Sequence, residues 1–391
     1  MAKKRIGILT GGGDVPGLNL AIKSVVMNGL EAGYEVVGIR RGWLGLLGYD
    51  LNDPATHELY IRELTPNVVR AVDRAGGTFL HTSRTNPSNV RLSDTPDFLI
   101  DSEYGKVIDP ENGTKDYTDY VLKVLDHLNI DSLITIGGDD TLSYSARLDQ
   151  EDFPIVAIPK TMDNDVLGTD YCIGFSTAVT RGVNHITYFR TSIGSHERIG
   201  IVELFGRNSG ETALIIGYLA HADRTVICEV PFDVEKLTNF LVKDKLDSPS
   251  HYSLVVISEG AIPIGGKVMQ TGEADAYGHH KLGGIGDFLS DEIKAISGHN
   301  VMYQKLGYLM RSGPADAVDR MVGMNFGLLA LQLTQRGEYG KLVAIQDGKY
   351  TYVPVETVIS GKRHVDLDCY YDSENYRPKI KQVAGLPMFL H

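Results

Sequence analysis

Short hydrophobic runs alternate with longer amphipathic stretches along most of the chain. Runs of strand length, rich in isoleucine, leucine and valine, are RIGILT at 5–10, EVVGIR at 35–40, SLITIGG at 132–138, PIVAIP at 154–159, IGIVEL at 199–204, TVICEV at 225–230 and YSLVVISEG at 252–260. Stretches with helical spacing follow them, such as VEKLTNFLVKD at 234–244. This alternation is typical of parallel α/β sheets, and the two series of runs predict two α/β units.

Glycines concentrate where the predicted strands end. They stand in GGGDVPG at 11–17, GGT at 76–78, GGDDT at 137–141 and GGIG at 283–286. Ligands of open α/β sheets bind beyond the carboxyl ends of strands, so these loops predict one composite site. The segments 84–116 and 359–391 lack such patterns, and we interpret them as surface loop and terminal extension.

Composition narrows the classes of partner. The 391 residues include 50 acidic and 38 basic ones, which gives a net charge of −12. A chain of this charge repels nucleic acid and anionic membranes, so a phosphate site must be built locally. No apolar run is long enough for a membrane span or a secretory signal, and the three cysteines lack the spacing of a zinc site. These features predict a cytoplasmic protein without nucleic-acid or membrane partners.

Three strand-end loops carry candidate chemistry. GGGDVPGLN precedes a predicted helix at 18–30, so its backbone N–H groups can approach phosphate oxygens, although a plain tight turn is the alternative. In IGGDDTL, the adjacent carboxylates of Asp139 and Asp140 suit Mg²⁺, with a helix cap as the alternative. In IPKTMDNDVLGTD, Lys160 and Asp163 pair a phosphate-neutralising cation with a candidate general base, where an Asx-rich turn is the alternative.

A basic run within this acidic chain is a further candidate. It spans 190–210 and contains Arg190, His196, Arg198 and Arg207. Arginine binds phosphate oxygens in a bidentate manner, so Arg198 and Arg207, at the two ends of a predicted strand, are candidate phosphate ligands. A solvated charged face is the alternative.

Together these motifs resemble the phosphofructokinase family. The resemblance rests on TGGGDVPGLN, GGTFLHTSR, TIGGDDTL, PKTMDND, SHERIGIVELFGR, ISEG, LGYLMRSG and ADAVDR, which follow the family's order between about residues 5 and 325. It implies two similar three-layer α/β domains with the active site in the cleft between them. The larger domain, 1–175 plus 310–391, would bind the phosphoryl donor and Mg²⁺, and the smaller, 176–309, would bind the sugar phosphate.

The resemblance also implies roles for individual residues. Asp163 would be the base and Asp139 the Mg²⁺ ligand, while Lys160, Asp140 and Arg207 complete the catalytic set. The implied substrate-binding residues are Gly12, Arg84, Thr161, Asp163, Arg198, Phe205, Gly206, Arg207, Glu259, Tyr308 and Arg311. Because the family's counterpart of Arg198 reaches the neighbouring subunit's sugar-phosphate site, a homodimer or homotetramer is implied.

Two positions indicate the donor. Family members that use ATP usually carry GGDG and PGT, whereas this chain has GGDD and PKT. Asp140 would stand where the α-phosphate of ATP lies, and two like charges ~4 Å apart repel by about 4 kcal/mol at an effective dielectric constant near 20, or ~10³-fold in affinity. Lys160 would neutralise charge on a shorter donor. We therefore expect a reversible, Mg²⁺-dependent transfer from pyrophosphate to the 1-hydroxyl of fructose 6-phosphate, in glycolysis or gluconeogenesis.

The acceptor site departs from the family pattern at one position. Many members have an arginine where this chain has Met302, and it binds the 6-phosphate across the subunit interface. Either Lys305 or His299 would substitute for it, or Arg198 and Arg311 would bind the phosphate without it. Another ketose phosphate, such as sedoheptulose 7-phosphate, is the other possible acceptor. For the reaction as a whole, the alternative to the use of pyrophosphate is an ATP-dependent 6-phosphofructokinase that tolerates Asp140. A non-catalytic regulatory subunit or sugar-phosphate sensor is a further alternative. Such proteins typically lose the base or the metal carboxylate, whereas this chain keeps both Asp163 and Asp139.

Overall fold

A computed structural model describes residues 3–111, 113–271, 281–380 and Ala384. Its strands are β1 (Arg5–Thr10), β2 (Glu35–Ile39), β3 (Ile61–Glu63), β4 (Val90–Arg91), β5 (Lys106–Asp109), β6 (Thr114–Asp116), β7 (Ser132–Gly137), β8 (Ile155–Pro159), β9 (Ile199–Leu204), β10 (Arg224–Val226), β11 (Ser253–Ser258), β12 (Gln270–Thr271), β13 (Lys281–Leu282), β14 (Val301–Lys305), β15 (Lys341–Gln346), β16 (Lys349–Pro354), β17 (Tyr371–Asp372) and β18 (Arg377–Pro378).

The α-helices are α1 (Leu18–Glu31), α2 (Trp43–Leu47), α3 (Pro54–Tyr60), α4 (Pro66–Val69), α5 (Asp97–Ile100), α6 (Thr118–His127), α7 (Asp139–Asp149), α8 (Phe175–Ser195), α9 (Glu211–Leu219), α10 (Val234–Asp247), α11 (Ile285–Ser297), α12 (Ala317–Arg336) and α13 (Leu367–Tyr370). Short 3₁₀ turns lie at Val72–Arg74, Leu92–Asp94, Gly307–Met310 and Val355–Ile359. Within the described residues, no helix is long and apolar enough to cross a membrane.

The larger of the two main sheets has seven strands in the order β16-β15-β8-β7-β1-β2-β3. Its five central strands are parallel, and the edge strands β16 and β3 are antiparallel. Successive strand residues point to opposite faces. Accordingly, Ile8 packs with α1 and α12 on one face, and Leu9 packs with α2, α6 and α7 on the other.

The smaller main sheet has four parallel strands in the order β10-β11-β9-β14. Leu254 of β11 packs in the same core as residues of α8 and α9, while Val255 packs with α10 and α11 on the opposite face. Both sheets are thus covered by helices on two faces, which confirms the predicted α/β class. The strands of the two sheets fall within the two predicted domain ranges, whose boundaries stay a prediction.

Two interpretations from the sequence need correction. Only Thr225 and Val226 of the run at 225–230 lie in a strand, β10, and the chain turns at Cys228 and Glu229. The Glu229 carboxylate there accepts hydrogen bonds from the N–H groups of Gly210 (2.8 Å) and Val365 (3.1 Å). The segments interpreted as loop and extension also contain structure: β4, β6 and β5 form a small sheet, and β17 pairs with β18. Strands of two to four residues are too short to produce a recognisable hydrophobic pattern.

Candidate active site

A cavity of 1020 Å³ lies between the carboxyl ends of the two sheets. The loops after β1, β7 and β8 form one wall, and the loops after β9, β11 and β14 form the other. Its cationic side chains are Arg84, Lys160, Arg207, Lys305, Arg311 and Lys362, and its acidic ones are Asp14, Asp139, Asp140, Asp163, Asp165 and Glu259. Strand-end loops therefore gather into one composite site, in which cationic side chains balance the acidic ones although the whole chain has a net charge of −12.

Lys160 lies in the cavity wall formed by the loops after β1, β7 and β8. Its side chain is buried, with the residue only 4% exposed. A Cβ atom added to Gly12, whose φ is +76°, would lie 3.1 Å from the Lys160 Nζ atom, and one added to Gly138 would lie 3.8 Å from it. Burial, together with Arg311 and Arg84, lowers the pKa of Lys160 to about 8, against the opposing influence of Asp140. The two glycine loops thus make room for an ammonium group that is poorly solvated and suited to bind an anion.

Asp139 and Asp140 begin helix α7 directly after Gly138. Gly138 is the N-cap residue, so Asp140 is not the helix cap that was the alternative interpretation. The Asp139 Oδ2 atom lies 3.3 Å from Lys362 Nζ, whereas its buried Oδ1 atom has no hydrogen-bond partner among the described residues. Burial, followed by the nearby Asp165, raises the pKa of the Asp139 carboxyl.

The oxygen donors fit Mg²⁺. No cluster of three or more histidine, cysteine or acidic side chains suited to hold a metal occurs in the described part of the chain. Mg²⁺ does not need one, since it is commonly bound by one or two carboxylates together with waters and substrate phosphates. The orphaned Asp139 Oδ1 is the oxygen best placed to serve such an ion.

Asp163 is the candidate base. Its Oδ2 atom accepts a long, 3.5 Å hydrogen bond from the Arg207 N–H, and its buried Oδ1 atom has no partner among the described residues. The Asp163 N–H donates to Thr161 Oγ1 at 3.1 Å, which orients the loop. Burial, followed by repulsion from Asp165 and Glu259, raises the pKa of the Asp163 carboxyl. A carboxylate with a raised pKa in a cavity can take up and return a proton near neutral pH.

Arg311 connects the two walls of the cavity. Its Nε atom lies 3.4 Å from Asp14 Oδ1 in the glycine-rich loop. Its guanidinium carbon lies 4.6 Å from the ring centre of Tyr308, which makes an edge contact with Phe205 at 5.9 Å between ring centres. A Cβ atom at Gly13 would lie 2.7 Å from Arg311 Nη1. The absence of side chains at Gly12 and Gly13 therefore leaves room for the Lys160 and Arg311 side chains beside the same loop.

Lys305 lies in the cavity wall formed by the loops after β9, β11 and β14, whereas Met302 does not line the cavity. Its Nζ atom lies 2.7 Å from Oε1 of the fully buried Glu203 and 4.0 Å from Glu259 Oε2. Burial raises the pKa of Glu259 to about 7, although Lys305 and Arg207 oppose that shift. His299 lies outside the cavity lining and contacts Lys245. Of the two possible substitutes for the arginine, only Lys305 lies in the cavity.

Besides Lys305, twelve of the fourteen residues assigned to the site from the sequence line the cavity: Gly12, Arg84, Asp139, Asp140, Lys160, Thr161, Asp163, Phe205, Arg207, Glu259, Tyr308 and Arg311. Gly206 does not; with φ at +135°, it instead accepts a hydrogen bond from Ser258 Oγ at its carbonyl group. Arg198 directly precedes β9, at the amino ends of the strands, whereas the cavity lies at their carboxyl ends, about 20 Å away along the strand. Its predicted role toward a neighbouring subunit stays a prediction.

Three charged residues of the cavity were not assigned from the sequence. Asp14 and Asp165 stand inside two of the recognised motifs, so their position there was the available signal. Lys362 stands in the terminal segment, where no hydrophobic period or glycine loop marks it.

Comparisons with known proteins identify the family of the chain. The family model described as phosphofructokinase matches residues 5–334, so the chain belongs to the phosphofructokinase family of phosphotransferases. A pyrophosphate-fructose 6-phosphate 1-phosphotransferase of Amycolatopsis methanolica is 36% identical to it over 95% of this chain and 98% of that relative. An ATP-dependent 6-phosphofructokinase 2 of Clostridium perfringens is 32% identical over 93% of this chain and 94% of that relative.

A solved structure shares the fold. The pyrophosphate-dependent phosphofructokinase of Nitrosospira multiformis matches with a TM-score of 0.75 over 100% of this chain and 96% of that one, at 15% sequence identity. The paired α/β sheets are thus those of the family. At this identity the match concerns the fold alone.

Proposed function

We propose that this phosphotransferase moves a phosphoryl group from pyrophosphate to the 1-hydroxyl of fructose 6-phosphate, reversibly and with Mg²⁺. The observation that carries the proposal is the position of Lys160. It is buried between two glycine loops, and the nearby Asp140 opposes the lowering of its pKa. It shares the cavity with Asp163, whose Oδ1 atom has no hydrogen-bond partner among the described residues. The pyrophosphate-dependent relative at 36% identity supports the same choice of donor.

Asp163 acts as the general base. Its carboxylate takes the proton of the 1-hydroxyl while that oxygen bonds to the transferred phosphorus, and the bond from this phosphorus to the bridging oxygen of pyrophosphate breaks to release inorganic phosphate. In the reverse direction the protonated Asp163 returns the proton. The raised pKa of Asp163 favours both roles, because neither form is strongly disfavoured near neutral pH.

Cationic groups stabilise the charge of transfer. Lys160 and Arg207 face the reacting region, and their charges favour the phosphoryl group as its negative charge redistributes. Asp139 would hold Mg²⁺, which when bound neutralises charge on phosphate oxygens. Asp140 places negative charge beside this donor wall and thereby disfavours the longer, more highly charged ATP.

The acceptor side uses different residues. Tyr308, Phe205, Glu259 and Arg311 line the same cavity as Asp163, and Lys305 supplies a cation there. We propose that Lys305, together with Arg311, binds the 6-phosphate in place of the arginine that Met302 replaces.

The proposed reaction is tested by incubating the protein with fructose 6-phosphate, Mg²⁺ and either pyrophosphate or ATP. We expect fructose 1,6-bisphosphate with pyrophosphate. Product with ATP alone would identify an ATP-dependent 6-phosphofructokinase, the alternative that the relative at 32% identity favours. Product from neither donor, but turnover of sedoheptulose 7-phosphate with pyrophosphate, would change the acceptor.

We further propose a homo-oligomer in which Arg198 completes the neighbouring subunit's acceptor site. Arg198 lies at the far end of β9 from its own cavity, and Tyr188 on the preceding helix α8 is 71% exposed. Complementation tests this proposal. The variants Arg198→Met and Asp163→Asn are each expected to be nearly inactive. An oligomer that mixes the two kinds of subunit should regain activity, because one of its sites then keeps both Arg198 and Asp163. Mixtures that exchange subunits without regaining activity would contradict a shared site.

A further inference from the structure

The segment after β16 crosses from the seven-stranded sheet to the four-stranded one and passes along the cavity. Lys362 forms a backbone bridge with Val166, in the loop that follows β8. The Arg363 N–H donates to the carbonyl group of Asp165 at 3.0 Å. Farther along, Tyr371 donates from its hydroxyl group to the carbonyl of Thr225 at 2.7 Å, beside β11. Backbone contacts therefore fix where this segment meets the active-site loop.

Arg363 anchors the segment beside Lys362. Its Nη1 atom donates to the carbonyl groups of Asp170 (2.8 Å) and Asn164 (3.3 Å), and its Nη2 atom lies 3.1 Å from Glu211 Oε2. The Arg363 side chain is 8% exposed, and that of Glu211 is 3% exposed. A buried, multiply bonded arginine restrains the backbone of its neighbour. The base of the Lys362 side chain is thus held, while its ammonium group extends into the cavity.

The Lys362 ammonium group lies at the donor side. Its Nζ atom is 3.3 Å from Asp139 Oδ2, and the side chain is 32% exposed at the cavity surface. Lysine is a compact charge on a flexible stem, so it can exchange one anionic partner for another over a short distance. Its present partner is the same carboxylate that would take up Mg²⁺.

We propose that Lys362 is a donor-binding residue whose ammonium group pairs with Asp139 in the free protein and with an oxygen of the bound pyrophosphate. This inference rests on the proposed function, since it assumes an anionic diphosphate in the donor region. The segment 361–363, outside all the recognised motifs, then contributes to donor recognition from the C-terminal end of the chain.

Two binding measurements test the proposal, because the Lys362→Met substitution should weaken the binding of pyrophosphate and strengthen the binding of a metal ion. The first is calorimetric titration of inorganic pyrophosphate at saturating Mg²⁺ and without acceptor. The Kd should be about 10- to 100-fold higher in Lys362→Met than in wild type, because a charge-assisted bond to the donor is lost. Titration of Mn²⁺ alone, followed by electron paramagnetic resonance, should show tighter binding, because Asp139 loses a competing cation.

Controls separate this role from damage to the fold. Lys379→Met removes an exposed lysine of the same terminal region that donates to the carbonyl group of Asp368 and should leave both titrations unchanged. Lys362→Arg should recover part of the pyrophosphate affinity, and fructose 6-phosphate should bind Lys362→Met as it binds wild type.

The outcomes distinguish the two proposals. Pyrophosphate binding by Lys362→Met within twofold of wild type would overturn the role of Lys362 while leaving the proposed reaction intact. Equal weakening of pyrophosphate, Mn²⁺ and fructose 6-phosphate binding would also overturn it, in favour of a structural role. Wild-type protein that binds no pyrophosphate would overturn the proposed function and, with it, this assignment.

Discussion

Replacing Lys160 by methionine should stabilise the protein at neutral pH while abolishing its activity. Lys160 is 4% exposed, and burial is the main cause that lowers its pKa from 10.5 to about 8. A charged lysine is therefore unfavourable in the folded protein, and methionine fills similar volume without a charge. Under the proposed function, binding of an anionic donor would offset this cost.

The magnitude and its pH dependence follow from the shift. Each pKa unit is worth about 1.4 kcal/mol, so the folded state loses about 3 kcal/mol at pH 7 by keeping Lys160 protonated. This penalty is complete below the folded-state pKa and disappears above the unfolded-state pKa, because there the lysine is neutral in both states. The stabilisation gained by Lys160→Met should accordingly fall from about 3 kcal/mol at pH 7 to about 1 kcal/mol at pH 10.

Urea unfolding at the two pH values measures this difference. Trp43, the chain's one tryptophan, is buried and donates from Nε1 to the carbonyl group of Thr141 beneath the donor loop, so its fluorescence reports on this region. Lys349→Met, at an exposed lysine of β16, is the control and should change stability little at either pH. A stabilisation by Lys160→Met that is equal at pH 7 and pH 10, or a loss of stability at pH 7, would refute the reasoning.

Three further variants test other parts of the account. Asp163→Asn should lower kcat by about 10²- to 10⁴-fold with fructose 6-phosphate binding retained, measured by steady-state kinetics and calorimetry; an unchanged kcat would exclude Asp163 as base. Lys305→Met should raise KM for fructose 6-phosphate about tenfold or more without affecting KM for pyrophosphate, and an equal rise in both would contradict an acceptor-side role. Arg363→Met should cost about 3 kcal/mol in urea unfolding because the buried Glu211 loses its ion-pair partner, and adding Glu211→Met should restore much of that loss; additive losses would show that the two side chains are not coupled.

The cavity wall that contains Lys160 and Asp139 could be predicted from the sequence because its residues follow strands directly. Lys160 comes immediately after β8, and Asp139 follows β7 with one glycine between, so recognising each strand was enough to bring these side chains to one sheet edge. The alternation of hydrophobic runs predicted both sheets for the same reason. Such local signals need no knowledge of distant contacts.

Lys362 and the pairing of Arg363 could not be predicted in this way. Arg363 bonds to Asn164, 199 residues earlier in the chain, and nothing in the local sequence around 359–365 indicates that contact. The resemblance motifs also end before this segment, at about residue 325. Its position depends on where β16 ends and on which carbonyl groups the loop after β8 leaves available, and both are properties of the folded chain.

The central claim is that Asp140 and Lys160 make the donor site selective for pyrophosphate, and the ratio of kcat/KM for pyrophosphate to kcat/KM for ATP tests it most directly. The account predicts a wild-type ratio of about 10³ or more. Asp140→Gly should lower this ratio by permitting weak use of ATP, while Lys160 still limits that use. A wild-type ratio near one, a preference for ATP, or a ratio that Asp140→Gly leaves unchanged would contradict the claim.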